Sequence, residues 1–354
     1  MARHPLLPAV AFTGIASIST AAVLIKLCDD APPTVIAAAR LALAAAILLP
    51  IALALRGRHV VRIPPGMAKH VILAGALLGA HFFFWISSLK HTSVMSSVVI
   101  ATTNPIFVGI ASFFLFKERM RRNLVIGIVL ATIGGATIAL ADRPTAPRRR
   151  ILPESPPTSV SNPTGDSSRS PQSTLTPTLS LEGRGSQNTP STEASPKTNK
   201  SNHLYGDLLA LGGAIMASCY YLVGRKVRGE IDLLSYILPV YAVAALVPAA
   251  LALPGRPDLL AYKTSTYIYF LLLAVVPQLI GHGAINWCLR HVSATTVAVF
   301  ILGEPIGASL LAYFIQDEKI TAVQAFGAGF ILLGVLIASR AEAAPSPTPE
   351  LTGT

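Results

Sequence analysis

Along the chain, apolar residues gather into long blocks separated by short polar or turn-forming stretches. Ten such blocks lie at about 8–27, 34–55, 70–89, 94–116, 124–141, 204–223, 233–253, 266–287, 293–315 and 321–339. Each approaches the roughly 20 residues that a helix needs to cross a hydrocarbon core. Within lipid every backbone N–H and C=O needs an internal partner, so such blocks are expected to be helices. The period-two alternation of barrel strands is absent. The first block runs into Lys26 and Asp29-Asp30 without a small-residue cleavage pattern, so it is read as a retained helix rather than a signal peptide.

The blocks repeat. Residues 89–134 lie over 289–334 without a gap, at a constant offset of 200, and ten of these 46 positions are identical. His91 meets His291, Pro105-Ile106 meets Pro305-Ile306, Glu118 meets Glu318, and Gly127 and Gly134 meet Gly327 and Gly334. Proline, glycine and charged loop residues keeping one register point to a duplicated unit rather than to shared apolar composition. Each unit has five spans. Five is odd, so the second unit enters the bilayer from the opposite side. The expected fold is therefore an all-α integral membrane protein, ten transmembrane helices in two inverted five-helix repeats, an arrangement common among transporters.

Composition agrees. Hydrophobic residues make up 52% of the chain and charged residues 13%, too few to cover a soluble surface; the mean hydropathy is +0.58. The net charge of +11 raises the question of nucleic acid. Its distribution gives a different reading. With the N-terminus inside, fourteen basic residues fall at inner ends, among them Arg56, Arg58 and the run Lys117–Arg122, against five in short outer loops. That is a positive-inside bias, opposed only by a long linker that counts weakly in the rule. The expectation is both termini in the cytoplasm, no nucleic-acid partner, and the lipid bilayer as surroundings. Cys28, Cys219 and Cys288 lack metal-ligand spacing and are read as packing residues.

The expected division is 1–141 for the first repeat, 142–202 for a linker, 203–340 for the second repeat and 341–354 for a tail. The linker is rich in Ser, Thr and Pro and almost free of aromatic residues. Such a segment cannot bury enough apolar surface to offset ordering, so it is expected to be disordered and to act as a passive insertion.

Several stretches together resemble the EamA-type branch of the drug/metabolite transporter superfamily. They include Ala31-Pro32-Pro33 with Ala39-Arg40, Thr92-Ser93, Asn104-Pro105-Ile106-Phe107 and Phe116-Lys117-Glu118-Arg119. The second half adds Tyr205-Gly206-Asp207, Gly281-His282 with Asn286-Trp287, and Gly303-Glu304-Pro305. The resemblance covers both halves but not the linker. It implies a ten-helix inverted-repeat carrier, often an exporter of small metabolites, and leaves the substrate open.

Polar residues inside the apolar blocks are the functional candidates, because an ionisable group in a bilayer is costly. Glu304 sits near the middle of the ninth block. Pro305 follows it and deprives the Ile301 carbonyl of its usual partner, so a helix break is expected there. A carboxyl at that depth can carry a proton; the bland alternative is a neutral acid bonded to a neighbouring helix. Asn104-Pro105 is its counterpart in the fourth block, with donor and acceptor but no charge, and again a static kink is the alternative. His81 with Trp85 one turn later, and His282 with Asn286, can relay a proton, bind a carboxylate, or offer an aromatic face to an ammonium group. Each of these can equally be an inter-helix contact. Arg40 either snorkels to the headgroups or faces the bundle to pair with a substrate anion or Glu304. Tyr241, with Tyr220 and Tyr221, is a further candidate for lining the path. Gly127, Gly134, Gly135, Gly327, Gly329 and Gly334 suit close helix packing, as scaffold or as contacts of a homodimer.

No P-loop, dinucleotide turn or HExxH is present. The reading is a secondary carrier without cofactor, moving a small amino-acid-like or drug-like substrate across the inner (plasma) membrane by gradient or exchange, with protons as the candidate coupling ion. Two rivals share the fold: a non-transporting sensor or assembly protein working through its linker, and an intramembrane lipid-modifying enzyme. The duplication argues against the last.

Overall fold

The first repeat opens with α1 (Leu7–Ser19) and α2 (Ala21–Leu27), which follow one another through Thr20, whose hydroxyl donates to Ser17 O at 2.7 Å. The computed structural model describes residues 5–57, 61–92, 94–116, 122–141, 200–316 and 321–341. Helix α3 (Pro33–Arg56) begins on proline, which lacks an N–H that a helix start leaves unpaired anyway. It ends at Gly57, whose φ of 57° suits a residue without Cβ. Then come α4 (Ala68–Ser88), α5 (Val94–Ala101), α6 (Asn104–Phe116) and α7 (Arg122–Ala141).

The second repeat has α8 (Lys200–Arg228), which starts inside the expected linker, and α9 (Leu233–Ala252). Asp232 caps α9 by accepting from Ser235 N at 3.1 Å. Helix α10 (Thr264–Leu273) passes through a π-helical segment (Ala274–His282) into α11 (Gly283–Cys288). Then follow α12 (Ala294–Ile301), α13 (Glu304–Gln316) and α14 (Ala322–Ala341). Among the described residues the chain is helical throughout, without strands. Among the described residues, eight segments are long and apolar enough to cross a bilayer, and α7 and α14 carry shorter apolar stretches, Val125–Thr137 and Ala325–Gly334. The rest of the linker, the tail beyond Ala341 and the charged segments 117–121 and 317–320 lie outside the described residues.

The two halves repeat in three dimensions. Turns fall at 29–30 and 229–230, at 89–91 and 289–291, and at 102–103 and 302–303, each pair offset by 200. Helices α7 and α14 cross antiparallel. Gly134 lies against the Gly327 carbonyl, and Gly334 against the Gly127 carbonyl. Exchanging the halves leaves this pair of contacts unchanged, as a two-fold axis requires. Of the six glycines expected to serve scaffold or dimer, Gly127, Gly134, Gly327 and Gly334 thus serve an intramolecular crossing, whereas Gly135 meets Val99 and Gly329 has nothing within 4 Å of an added Cβ. Phe114 and Phe314, equivalent positions, are 73% and 75% exposed, as suits side chains turned toward lipid.

The spans of the paired prolines are broken rather than bent. Helix α12 stops at Ile301, whose carbonyl Pro305 cannot serve, and α13 restarts at Glu304. Tight i→i−3 bonds close the gap, Gly303 N to Phe300 O and Ile306 N to Gly303 O. Thr103 N to Ile100 O and Ile106 N to Thr103 O do the same before Asn104. Each proline therefore occupies the first turn of its half-helix, where a missing N–H does no harm.

Polar clasps join the halves at opposite ends of α3. At one end Lys263 Nζ bonds Asp29 at 2.9 Å, while Asp30 accepts from Thr266 Oγ1 and Lys263 N, both at 2.7 Å. The Lys263 ammonium and amide hold both carboxyls below their usual range. At the other end Arg56 grips Asp232 in a fork at 2.6 and 2.9 Å and donates to Ser235 Oγ at 2.8 Å. Partial burial pushes the Asp232 carboxyl up, but Arg56 and Ser235 outweigh it and hold the group well below the usual range.

Candidate functional site

The breaks bring Asn104 and Glu304, first residues of α6 and α13, to one cavity between the halves. Their positions are secured from the opposite repeat. The Ser19 hydroxyl of α1 lies 3.2 Å from Glu304 O, and the Ser218 hydroxyl of α8 lies 3.3 Å from Asn104 O. Each serine shares its one proton with its own helix, at Ile15 O and Ala214 O. The cavity is lined further by Arg40 from α3, His81, Phe82 and Trp85 from α4, Tyr221 from α8, and His282. It holds about 30 Å³ of space that water can occupy. Ligand pockets are usually about 300–1,000 Å³, so this conformation is closed around its polar groups.

Arg40 is wholly buried. Its Nε donates to Gln278 Oε1 at 3.1 Å, and its Cζ lies 4.0 Å from the centre of the Phe82 ring. Nη1 and Nη2 have no hydrogen-bond partner among the described residues. Among the described residues it forms no ion pair with Glu304, although both face the cavity. A desolvated cation–π contact is worth about 2 kcal/mol and one hydrogen bond from a charged donor about 1.5–3 kcal/mol, but the N–H groups of Nη1 and Nη2 stay desolvated without acceptors. Burying a charge costs several kcal/mol, so the guanidinium is only partly compensated by the protein.

His81 Nδ1 lies 2.9 Å from Gly213 O, a carbonyl that can only accept, so the proton is on Nδ1. Its ring lies parallel to that of Trp85, with centroids 6.2 Å apart. Trp85 Nε1, Asn104 Oδ1 and His282 Nδ1 are buried and have no partner among the described residues. These atoms and the two Arg40 nitrogens converge on one cavity. Buried polar groups are normally satisfied, and a set left open together is suited to a polar ligand.

Seven of the expected site residues thus meet at the cavity: Arg40, His81, Trp85, Asn104, Tyr221, His282 and Glu304. Pro105 and Pro305 stand behind it, in the first turns of α6 and α13. Asn286 and Tyr241 do not line it. Asn286 donates to His282 O at 2.7 Å and accepts from Tyr220 OH at 2.7 Å, while Arg228 Nε reaches its carbonyl at 3.1 Å. Tyr241 OH donates to Gln278 O at 3.2 Å. Both brace the helix that carries His282. Phe82 and Gln278 escaped the sequence reading. Phe82 is one phenylalanine of a run of three. Gln278 carried a usable signal, a polar amide beside Pro277 near the middle of an apolar block.

Comparison with known proteins is consistent with this geometry. A model of the EamA-like transporter family matches residues 8–140 and again 204–340, the two repeats. An uncharacterized transporter of Clostridium kluyveri is 21% identical over 256 residues, which is 71% of this chain and 65% of that protein. The chain thus spans slightly less than two thirds of that relative's length. An uncharacterized transporter of Archaeoglobus fulgidus is 31% identical over 91 residues, 24% of this chain and 34% of that one. A solved crystal structure superposes with a TM-score of 0.66 at 18% identity, covering 95% of this chain and 97% of the other, which is a likeness of fold. With both repeats matched over most of its length, the chain belongs to the EamA-like transporter family.

Proposed function

We propose that the protein is a secondary carrier that exports a small amino-acid-like metabolite across the inner membrane by alternating access. The observation that supports this most directly is the set of unpartnered buried polar atoms around the cavity: Arg40 Nη1 and Nη2, Trp85 Nε1, Asn104 Oδ1 and His282 Nδ1. Arg40 offers its free nitrogens to a substrate carboxylate, a bidentate match that guanidinium geometry favours. Asn104 Oδ1 and the Glu304 carboxyl are placed to accept from an ammonium group. Phe82, Trp85 and Tyr221 supply an apolar wall.

A cavity of about 30 Å³ must widen to admit such a solute. The short bonds that bridge α5 to α6 and α12 to α13 are the natural places to yield. Opening toward one face requires release of the Lys263–Asp29/Asp30 clasp, and toward the other release of the Arg56–Asp232 clasp. Glu304 carries the coupling proton. The rocking units are the repeats 1–141 and 203–340, with 142–202 and 341–354 as passive segments and both termini cytoplasmic.

The test is uptake into proteoliposomes holding purified full-length protein, with each of the twenty amino acids offered against an internal load of the same compound. Exchange of at least one that is lost in Arg40→Met, with that variant still folded, supports the reading. No exchange of any amino acid, or exchange unaffected by Arg40→Met, sinks it.

A further inference from the structure

We infer that Gln278 is a specificity-determining residue: by holding Arg40 through a neutral amide, it leaves the guanidinium charge to be answered by an anionic group of the substrate. The inference rests on the proposed role of Arg40 as the anchor of a substrate carboxylate.

Gln278 is completely buried and sits in the π-helical segment that follows α10. Pro277, immediately before it, cannot donate a backbone hydrogen bond, and the ladder widens into π-helical form around it. Tyr241 OH, donating to Gln278 O from α9, fastens the same turn. The side chain is thereby fixed toward α3. Its orientation is set by chemistry, because Arg40 Nε can only donate and so must face the amide oxygen, at 3.1 Å.

The consequence lies in what the amide does not supply. A carboxylate of the same shape at this position would pair with Arg40 and neutralise it inside the protein. The amide gives one hydrogen bond through an uncharged acceptor and leaves Arg40 Nη1, Arg40 Nη2 and its own Nε2 as buried donors without acceptors among the described residues. Trp85 Nε1 adds a fourth unpartnered donor at the cavity. Unpartnered donors outnumber the unpartnered acceptors there, Asn104 Oδ1 and His282 Nδ1, and Glu304, the acidic side chain at the cavity, forms no ion pair with Arg40 among the described residues, so a substrate carboxylate supplies both the acceptors and the close counter-charge that the guanidinium lacks. The Phe82 ring, its centre 4.0 Å from Arg40 Cζ, contacts the guanidinium without consuming its N–H groups.

The isosteric substitution Gln278→Glu therefore provides the missing counter-charge from within. Measured on purified full-length protein in detergent, with sodium benzoate as probe against equal sodium chloride, the wild type should bind benzoate and Arg40→Met should not. Q278E should bind it at least about tenfold more weakly, and should melt at or above the wild-type temperature when benzoate is absent. Q278M, which removes the amide but adds no charge, should weaken benzoate by only a few-fold and should melt lower. This contrast separates a charge-setting role from simple loss of packing.

Undiminished benzoate affinity in Q278E, beside a wild type whose binding depends on Arg40, overturns this inference and leaves the carrier reading standing. A Q278E protein that fails to fold also counts against it, because a carboxylate here is expected to satisfy Arg40. Absence of benzoate binding by the wild type, or its persistence in Arg40→Met, removes the carboxylate anchor and this inference with it.

Discussion

Substituting Gly134 by alanine tests the inverted architecture at its tightest crossing. A Cβ added there would press on the Gly327 carbonyl and come within 2.9 Å of both the backbone nitrogen and Cγ1 of Ile331. The first of these atoms belongs to rigid main chain, so rotamer changes cannot make room. Ordinary contacts need about 3.5–4.0 Å, so α7 and α14 must separate locally by about 1 Å, and a gap of that size forfeits up to about half of each contact's attraction. Between helices in lipid, packing supplies most of the association energy. The expected destabilisation is about 1–3 kcal/mol, the usual range for overpacking. Pseudo-symmetry adds a stricter demand. Gly334→Ala meets the Gly127 carbonyl at 2.5 Å and Ala131 N at 2.8 Å, so its cost should match. The double variant should cost less than the sum, since one separation relieves both clashes. Gly329→Ala, on α14 with nothing within 4 Å of its new Cβ, is the control. It should be neutral or stabilising by up to about 1 kcal/mol from helix propensity. Thermal unfolding in a mild detergent reads all four proteins. If Gly134→Ala melts no lower than Gly329→Ala, the close crossing is absent. If Gly134→Ala and Gly334→Ala differ severalfold in cost, the symmetry argument fails.

Other expectations concern the proton, the clasps and the linker. Glu304→Gln should keep the fold but lose pH-dependent uptake in proteoliposomes; a pH profile unchanged from wild type removes Glu304 from coupling. Asp232→Asn keeps a good helix cap for α9 and removes only the Arg56 pair, which is partly exposed at 27% and 36%, so it should cost about 1 kcal/mol or less. Because the folded-state pKa of Asp232 is depressed, that contribution is present above the ordinary carboxylate range and disappears as pH falls through the lowered value. The melting difference between wild type and Asp232→Asn should therefore shrink on acidification and be constant above neutrality; a gap that widens in acid contradicts the assignment. Deleting residues 148–200 should leave flux intact, and a deletion variant that inserts normally yet transports nothing would favour a working role for the linker.

How far the site could be read in advance depended on the range of the interaction involved. Glu304, Asn104, Arg40, His81 and His282 stood out because each is polar at a depth where polarity is costly, a local property of an apolar block. Their convergence followed from the duplication. The partners of Arg40 did not follow, since Gln278 lies 238 residues away in sequence and reaches α3 only through the turn that Pro277 and Tyr241 shape. Asn286 and Tyr241 were polar in the right blocks but faced helix neighbours rather than the cavity, a choice made by helix rotation. The prolines marked the correct spans, yet whether those spans bend or break depended on the tight turns before Asn104 and Glu304.

The sequence by itself determined the membrane blocks, the duplication, the inverted sense of the repeats and the short set of costly polar groups. Hydropathy and the 200-residue register carry them, and the antiparallel crossing of α7 with α14 agrees with the inverted sense. Tertiary structure alone decided which polar atoms remain unpaired. Satisfaction of a buried group depends on atoms brought within about 3 Å by packing, and no pattern along the chain encodes that distance. The same holds for the two clasps at the ends of α3 and for the glycine crossing of α7 with α14, where helices remote in sequence meet only because the halves fold back across one another.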